Sequence, residues 1–336
     1  MTSLTLICPQ CGAPLPAQAR WRTVQCQYCH ASVTPKARVV QAAAFHAAYQ
    51  RSLADHDGAS RIECCGQHYR ILNTLGHGAS DTPALSSRVL LAQRLGALPE
   101  RVILKLQQAG ADDKALIQRQ QQEMAVLRRL QAATDPGAAY FSQRLPQPVA
   151  QGRATGNVGA HGLTHTHALI VRNPVGYWGS LADVLRHTPQ GVDARHVVWM
   201  WRRVLEVLGH VHASGWAHTR VAPEHLLVHP ADHGILIIGW SQARSHSDSS
   251  LQARDLMQLA WSMRCLLHGG VEQLSAPPIA ASVPAPLASL LERASEDANW
   301  CATHGAAGID SQLKAAAQAA FGPPRFLHFN PTINPR

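Results

Sequence analysis

The chain has no apolar run of about eighteen residues, so no membrane-spanning helix is predicted from it. Met1 to Ile7 is too short, and lacks the basic start, to read as a secretory signal. With no secretory signal the expected compartment is the reducing cytoplasm. Repeats with a period of 20–50 residues are missing, which excludes solenoids and propellers. There is no RGG run, no long basic tract and no interleaving of aromatic with basic residues. The net charge of +9 over 336 residues therefore permits an anionic partner without pointing to a dedicated nucleic-acid binder. Acids are absent from the first 54 residues, which carry Arg20, Arg22, Lys36, Arg38 and Arg51. Charged residues make up 15% of the chain and hydrophobic ones 46%, a balance that suits folded domains.

Against these absences stand two cysteine pairs, Cys8-Pro-Gln-Cys11 and Cys26-Gln-Tyr-Cys29. Four thiolates at that spacing can close a tetrahedral site on one zinc ion, and zinc is preferred to a disulfide reading because no secretory signal is present. A site of four cysteines leaves no open position, so this zinc is structural. Zinc with four thiolates carries −2, which brings the basic N-terminal module to about +3, a modest field. Cys64, Cys65, Cys265 and Cys301 lack ligand spacing. Twenty histidines invite a second metal site, but His210 and His212 lie two apart on a predicted helix and face different ways. His165 and His167 alternate on a predicted strand.

The pattern divides the chain into a zinc ribbon over residues 1–34, a helical linker over 35–60, a β-rich lobe over 61–175, an α-rich lobe over 176–322 and a tail over 323–336. Alternating or apolar runs predict strands at 69–72, 89–92, 101–106 and 168–171, with 226–228 and 235–238 able to pair. Helical periodicity predicts helices over 112–131, 180–186, 193–214, 251–268, 286–297 and 309–320. The fold class is α+β.

Single motifs here are weak. Gly76-His77-Gly78 follows a strand, Lys105 ends Val-Ile-Leu-Lys, and Glu123 lies on the next helix. In that order they resemble the small lobe of a protein kinase. His218-Thr219-Arg220-Val221-Ala222-Pro223-Glu224-His225, followed by Leu226-Leu227-Val228, is similar to the kinase catalytic loop and its strand. Leu236-Ile237-Ile238-Gly239-Trp240-Ser241-Gln242-Ala243 falls where a kinase has Asp-Phe-Gly, and Ala253-Arg254-Asp255 resembles the start of the long central helix of the large lobe. The resemblance covers about residues 66–300 and implies a bilobal protein-kinase-like domain of bacterial type, with a degenerate catalytic loop and a shortened activation segment.

The departures from the family pattern govern the functional expectation. Arg220 stands in place of the catalytic Asp, Ala222 in place of the loop lysine, and His225 and Gly239 in place of the magnesium-binding Asn and Asp. The expectation is a pseudokinase: not an enzyme, but a regulatory, signalling or scaffold protein with a protein partner, on which the ribbon supplies a docking surface. Gly76, Gly78, Lys105 and Glu123 mark a vestigial nucleotide site. Asp81 and Pro83 disturb its glycine loop, so a fold-holding Lys105–Glu123 pair is preferred to real ATP affinity. Two alternatives remain open: an atypical ATP-binding kinase or nucleotidyl-transferase, and a zinc-ribbon nucleic-acid-binding protein. His218, Trp240 and Asp255 match positions that brace a kinase core, and no role is expected for Asp232 or Asp248.

Overall fold

The computed structural model describes residues 60–77, 87–96, 100–108, 113–134, 137–158, 161–163, 165–173, 176–245, 249–269 and 277–331, with residues 8, 11, 13–16, 24–30 and 32–33 of the N-terminal module. The expected linker helix, Gly78, Asp81, Pro83 and Asp248 lie outside the described residues. Two compact units emerge, one formed by Met1–Asp113 with Ala150–Ile170 and the other by Lys114–Val149 with Val171–Arg336.

The first unit opens with a short antiparallel pair, β1 (Val24–Gln25) and β2 (Ser32–Val33), in the register Val24↔Val33. A sheet follows from β3 (Arg61–Cys64), β4 (Gln67–His77), β5 (Ser87–Arg94) and β6 (Glu100–Gln108), with β7 (Gln147–Val158), β8 (His161–Gly162) and β9 (Thr166–Arg172). β6 places Val102, Ile103, Leu104 and Leu106 in the core, as its β-branched and apolar sequence dictates. The order is β3-β4-β5-β6-β9-β7-β8, and β3 pairs a second time with β7. That second pairing closes six strands into a ring, which removes the exposed edges. Closure was not expected from the sequence. It depends on Gly156, which lies opposite Ile62 at φ +114, where a Cβ would fall 2.2 Å from the Arg61 carbonyl oxygen.

The second unit holds the long helices α1 (Asp113–Gln131), α4 (Ala194–Ala213), α5 (Ser250–His268), α6 (Ala285–Glu296) and α7 (Ala298–Phe321), with the shorter α2 (Ala138–Phe141) and α3 (Leu181–His187). α3 starts in a capping box: the Ser180 hydroxyl accepts from the Asp183 amide at 3.1 Å, and Asp183 accepts from the Ser180 amide at 2.6 Å. α4 begins at Asp193, which caps the Arg195 amide, and turns Val197, Met200, Trp201, Val204, Leu208 and Val211 inward at spacings of three and four. Burying each such side chain contributes roughly 1.5–3 kcal/mol; α5 and α7 pack against this helix, and α6 packs in turn against α5 and α7. α7 runs from Ala298, not from 309 as expected, and absorbs a kink at Gly305 (φ +59).

β10 (Gly179–Ser180) precedes α3, and between α4 and α5 lie four more short strands: β11 (Trp216–Ala217), β12 (Leu226–His229), β13 (Gly234–Ile237) and β14 (Arg244–Ser245). β12 and β13 pair as expected, Leu227 facing Leu236, and β10 adds to β12. β11 pairs with β14. The C-terminal segment is seated on this unit. His233 bonds the Leu327 carbonyl at 2.8 Å, and its ring stacks between Trp199 at 4.2 Å and Phe326 at 4.3 Å.

Candidate functional site

The four ribbon thiols converge. Cys8 and Cys29 place their Sγ atoms 3.7 Å apart, Cys11 and Cys26 3.6 Å apart, and all four ligand atoms lie within 4.8 Å of one another. A tetrahedral zinc with bonds of about 2.3 Å spaces its sulfurs by roughly 3.8 Å, so the residues fit the metal. The turns that bring them there are hydrogen-bonded: the Cys8 amide donates to the Ala13 carbonyl, and the His30 amide to the Cys26 carbonyl. Burial raises the Cys26 thiol, but amide N–H groups of Cys29 and Tyr28 outweigh it and bring it down to about 7, favouring the thiolate a metal needs. Leu15, Val24 and Val33 pack around the thiols. Among the described residues this is the one cluster of three or more metal-ligating groups. His212 and His210 are both spent elsewhere, on Asp255 and in a stack with Phe141.

The second focus is the loop from His218 to His225. Asp255, fully buried on α5, accepts from the His218 amide at 2.8 Å and the Thr219 amide at 2.6 Å, and pairs with His212 Nε2 at 3.0 Å. A buried carboxylate is tolerated only when its lone pairs are filled in this way. Three residues on, Gln258 accepts from the Val221 amide and donates to the Thr219 carbonyl. His218 Nδ1 accepts from the Arg220 amide, so its Nε2 carries the proton and donates to the Ile238 carbonyl at 3.0 Å. Burial holds its pKa below the usual histidine range. Its ring meets that of Trp240 edge-on at 4.6 Å. Glu123, buried on α1, accepts from the Trp240 amide at 2.9 Å, and Gln122 donates to the Ala243 carbonyl.

The substituted positions form a second, interlocked set. Gly239 adopts φ +86, and a Cβ there would fall 2.5 Å from Cδ2 and 2.8 Å from Nε2 of His225. His225 in turn bonds the Arg220 carbonyl through Nδ1 at 2.8 Å. The imidazole thus fills the space a side chain at position 239 would take. Magnesium demands hard oxygen ligands, and Gly239 and His225 supply none, so these two residues do not fit the paired magnesium site of a kinase loop. Ala222 and Arg220 offer no carboxylate either. Asp232 is exposed on the β12–β13 turn near His229.

Of the expected nucleotide-site residues, Gly76 lies near the end of β4 and Lys105 on β6, a strand with neighbours on both sides rather than an edge. Lys105 belongs to the first unit and Glu123 to the second. Thr219, Gln122, Gln258 and His212 were missed by sequence reasoning. Three are polar residues on helices, indistinguishable in sequence from solvated ones; only the spacing of Gln258 from Asp255 hints that both face the loop.

A small β-rich sheet unit, a helical unit, and a catalytic-loop backbone held by an aspartate of the central helix define a kinase-like domain. Its fold is that of protein-kinase-like domains. Residues 116–278 match the Lipopolysaccharide kinase (Kdo/WaaP) family. Among solved structures, the BubR1 kinase domain superposes with a TM-score of 0.50 at 13% identity, covering 84% of this chain and 94% of that one. The kinase domain of a Toxoplasma gondii specific rhoptry antigen gives 0.54 at 12% identity, covering 82% and 92%. At such identities these likenesses establish the fold alone. No curated protein matches the sequence. The family match overturns the expectation of a non-enzyme: a family of lipopolysaccharide kinases is a family of enzymes, and it points this chain to catalysis. No helix among the described residues is long and apolar enough to cross a membrane.

Proposed function

We propose that the chain is an atypical ATP-dependent phosphotransferase whose zinc ribbon docks a protein partner. The observation that carries the catalytic part is the Asp255 brace. A buried carboxylate that gathers the His218 and Thr219 amides holds the loop in a defined shape. Such pre-organisation is costly to maintain and useful when the loop must meet a substrate. The match over residues 116–278, which include this loop and its brace, supports the same reading. Positions 220, 225 and 239 supply no carboxylate to a metal that accompanies ATP. Binding and orientation then fall, within the second unit, to backbone groups and to Glu123, Arg220 and His225. For the ribbon, Tyr28 stands 69% exposed between Cys26 and Cys29, a large aromatic turned outward as interface residues are. Free cysteines throughout fit a reducing, cytoplasmic setting.

The test is transfer of labelled γ-phosphate by the purified full chain with magnesium or manganese, against a broad acceptor panel. Turnover that is lost in Lys105→Met, at an unchanged melting temperature, is the expected result. Neither transfer nor hydrolysis with either metal, at protein concentrations well above those of ordinary kinase assays, sinks the proposal.

A further inference from the structure

We infer that Cys64 and Cys65 form a reversible oxidation site, at which Cys65 attacks a small-molecule disulfide such as oxidised glutathione and Cys64 resolves the adduct into a disulfide between the two neighbours. The inference is independent of the phosphotransferase reading and lies wholly within the first unit. The two cysteines stand where β3 turns into β4, and their Sγ atoms are 3.7 Å apart.

Successive residues of a strand send their side chains to opposite faces, so neighbouring thiols do not ordinarily meet. Here the turn brings them together. Cys65 and Gly66 are the two residues between Cys64 and its partner Gln67, at φ +53 and φ +70. Asn-Gly or Gly-Gly normally fills a turn of this hand, and a cysteine in left-handed backbone is uncommon and costs free energy. β7 makes room for the sulfurs. A Cβ at Gly152 would fall 2.8 Å from Cys65 Sγ and 3.8 Å from Cys64 Sγ, so both lie over bare backbone. Cys65 Sγ also donates to the Gln151 carbonyl at 3.3 Å, which fixes its direction.

The two thiols differ as the chemistry requires. Cys65 is exposed, whereas Cys64 is 1% exposed. Burial, and the Cys65 sulfur beside it, push the Cys64 thiol up to about 12. Cys64 therefore keeps its proton, and the exposed Cys65 is the thiol that meets the oxidant. The Cys65 thiolate attacks one sulfur of the small disulfide, whose S–S bond breaks, and a reagent thiolate leaves. With Cys65 capped, its part of the upward push on Cys64 disappears. Cys64 gives up its proton to the departed thiolate and attacks the Cys65 sulfur. The mixed S–S bond breaks, and the second reagent thiolate leaves and takes up the proton that Cys65 released. Two protein thiols are oxidised, one small disulfide is reduced to two thiols, and no proton is gained or lost overall. Adjacent Cα atoms are about 3.8 Å apart, less than the roughly 4.4–6.8 Å that disulfides usually span. A bond closed here is strained and readily reduced, which suits a reversible modification rather than a permanent staple.

The experiment exposes the full chain to oxidised glutathione, blocks the remaining thiols with an alkylating reagent and digests with trypsin. Cleavage after Arg61 and Arg70 releases Ile62–Arg70, which holds both cysteines and no other. This peptide is expected to be lighter by two hydrogens and free of alkylation, and reduced glutathione in excess is expected to return both thiols. Cys64→Ala is expected to stop at the intermediate, with glutathione held on Cys65. Cys65→Ser, a substitution in the exposed turn that leaves the core untouched, is expected to lose oxidation of the peptide altogether. A wild-type peptide still alkylated at both positions overturns the site, as does its recovery cross-linked to another peptide. A lasting glutathione adduct on Cys65 of the wild-type chain overturns the resolving role of Cys64.

Discussion

The two halves of the loop from His218 to His225 are held in different ways. The first half, His218 and Thr219, is held by a buried carboxylate and closes a network reaching Ile238, Trp240 and α1. The second half, from Arg220 to His225, keeps Pro223-Glu224 but carries Arg220, Ala222 and His225 where the family pattern has a carboxylate, an amine and an amide, and these fit one another: His225 fills the space above Gly239 and anchors the Arg220 carbonyl. The contrast teaches that backbone shape and metal chemistry are separable properties of one loop. Shape is set from behind by α5, while chemistry is set by the side chains that project from the front.

The strongest way to break the comparison is to remove the brace. Asp255→Ala strands two buried amides and His212 in one step. Losing a buried charged partner costs about 3–5 kcal/mol, so the urea midpoint of the helical unit is expected to fall steeply. A shift below about 1 kcal/mol would mean that the loop holds its shape without Asp255.

The second test asks whether the front of the loop is interlocked. Gly239→Asp puts a side chain at φ +86 and against the His225 ring, and strain plus overpacking is expected to cost about 3 kcal/mol. His225→Ala in the same background removes the obstacle, so the double variant should be more stable than the sum of the two single effects predicts. Additivity would show that the two positions changed independently.

Outside the loop, the C-terminal clasp supplies a control with its own pH dependence. Burial between Trp199 and Phe326 lowers His233 to about 4, against an ordinary value near 6.5. Between those values the unfolded chain binds the proton and the folded one does not, so stability rises with pH across that window and is lost as pH falls from about 6.5 toward 4. The size is roughly 2 kcal/mol after allowance for partial exposure. Melts at pH 7.5 and 5 should differ, and His233→Phe should flatten the difference. An unchanged slope in that variant would assign the acid sensitivity to other groups, His218 first among them.

Much of the loop was legible in the sequence because spacing fixes it: Pro223-Glu224 on one side and Asp255 on the other pin the register, and His218 and Trp240 meet as that register requires. The pairing of β12 with β13 was legible from two apolar runs. The ring closure in the first unit was not, because β7 has no apolar run and is largely half-buried; its pairing depends on Gly156, which in sequence is only one more glycine. The enzyme class was misread for a related reason. Counting lost carboxylates weighs the front of the loop alone, although Asp255 was already expected to brace the core behind it. Amide partners such as Gln122 and Gln258 leave no such mark, since a hydrogen bond to backbone imposes no periodicity.

The finest test separates two roles for one of the expected nucleotide residues. Glu123 accepts from the Trp240 amide, which fixes the backbone just after Gly239. If that bond is structural, Glu123→Gln keeps an acceptor of the same shape and loses only its charge, at a cost of about 1 kcal/mol, whereas Glu123→Ala leaves a buried amide unpaired and costs about 2 kcal/mol. Both should appear in thermal melts without nucleotide. If Glu123 served the nucleotide alone, melts without it would not move and only the ATP-dependent shift would shrink. The structural outcome would extend the brace from α5 to α1, so that two helices hold the loop's shape from behind while its front carries the altered chemistry.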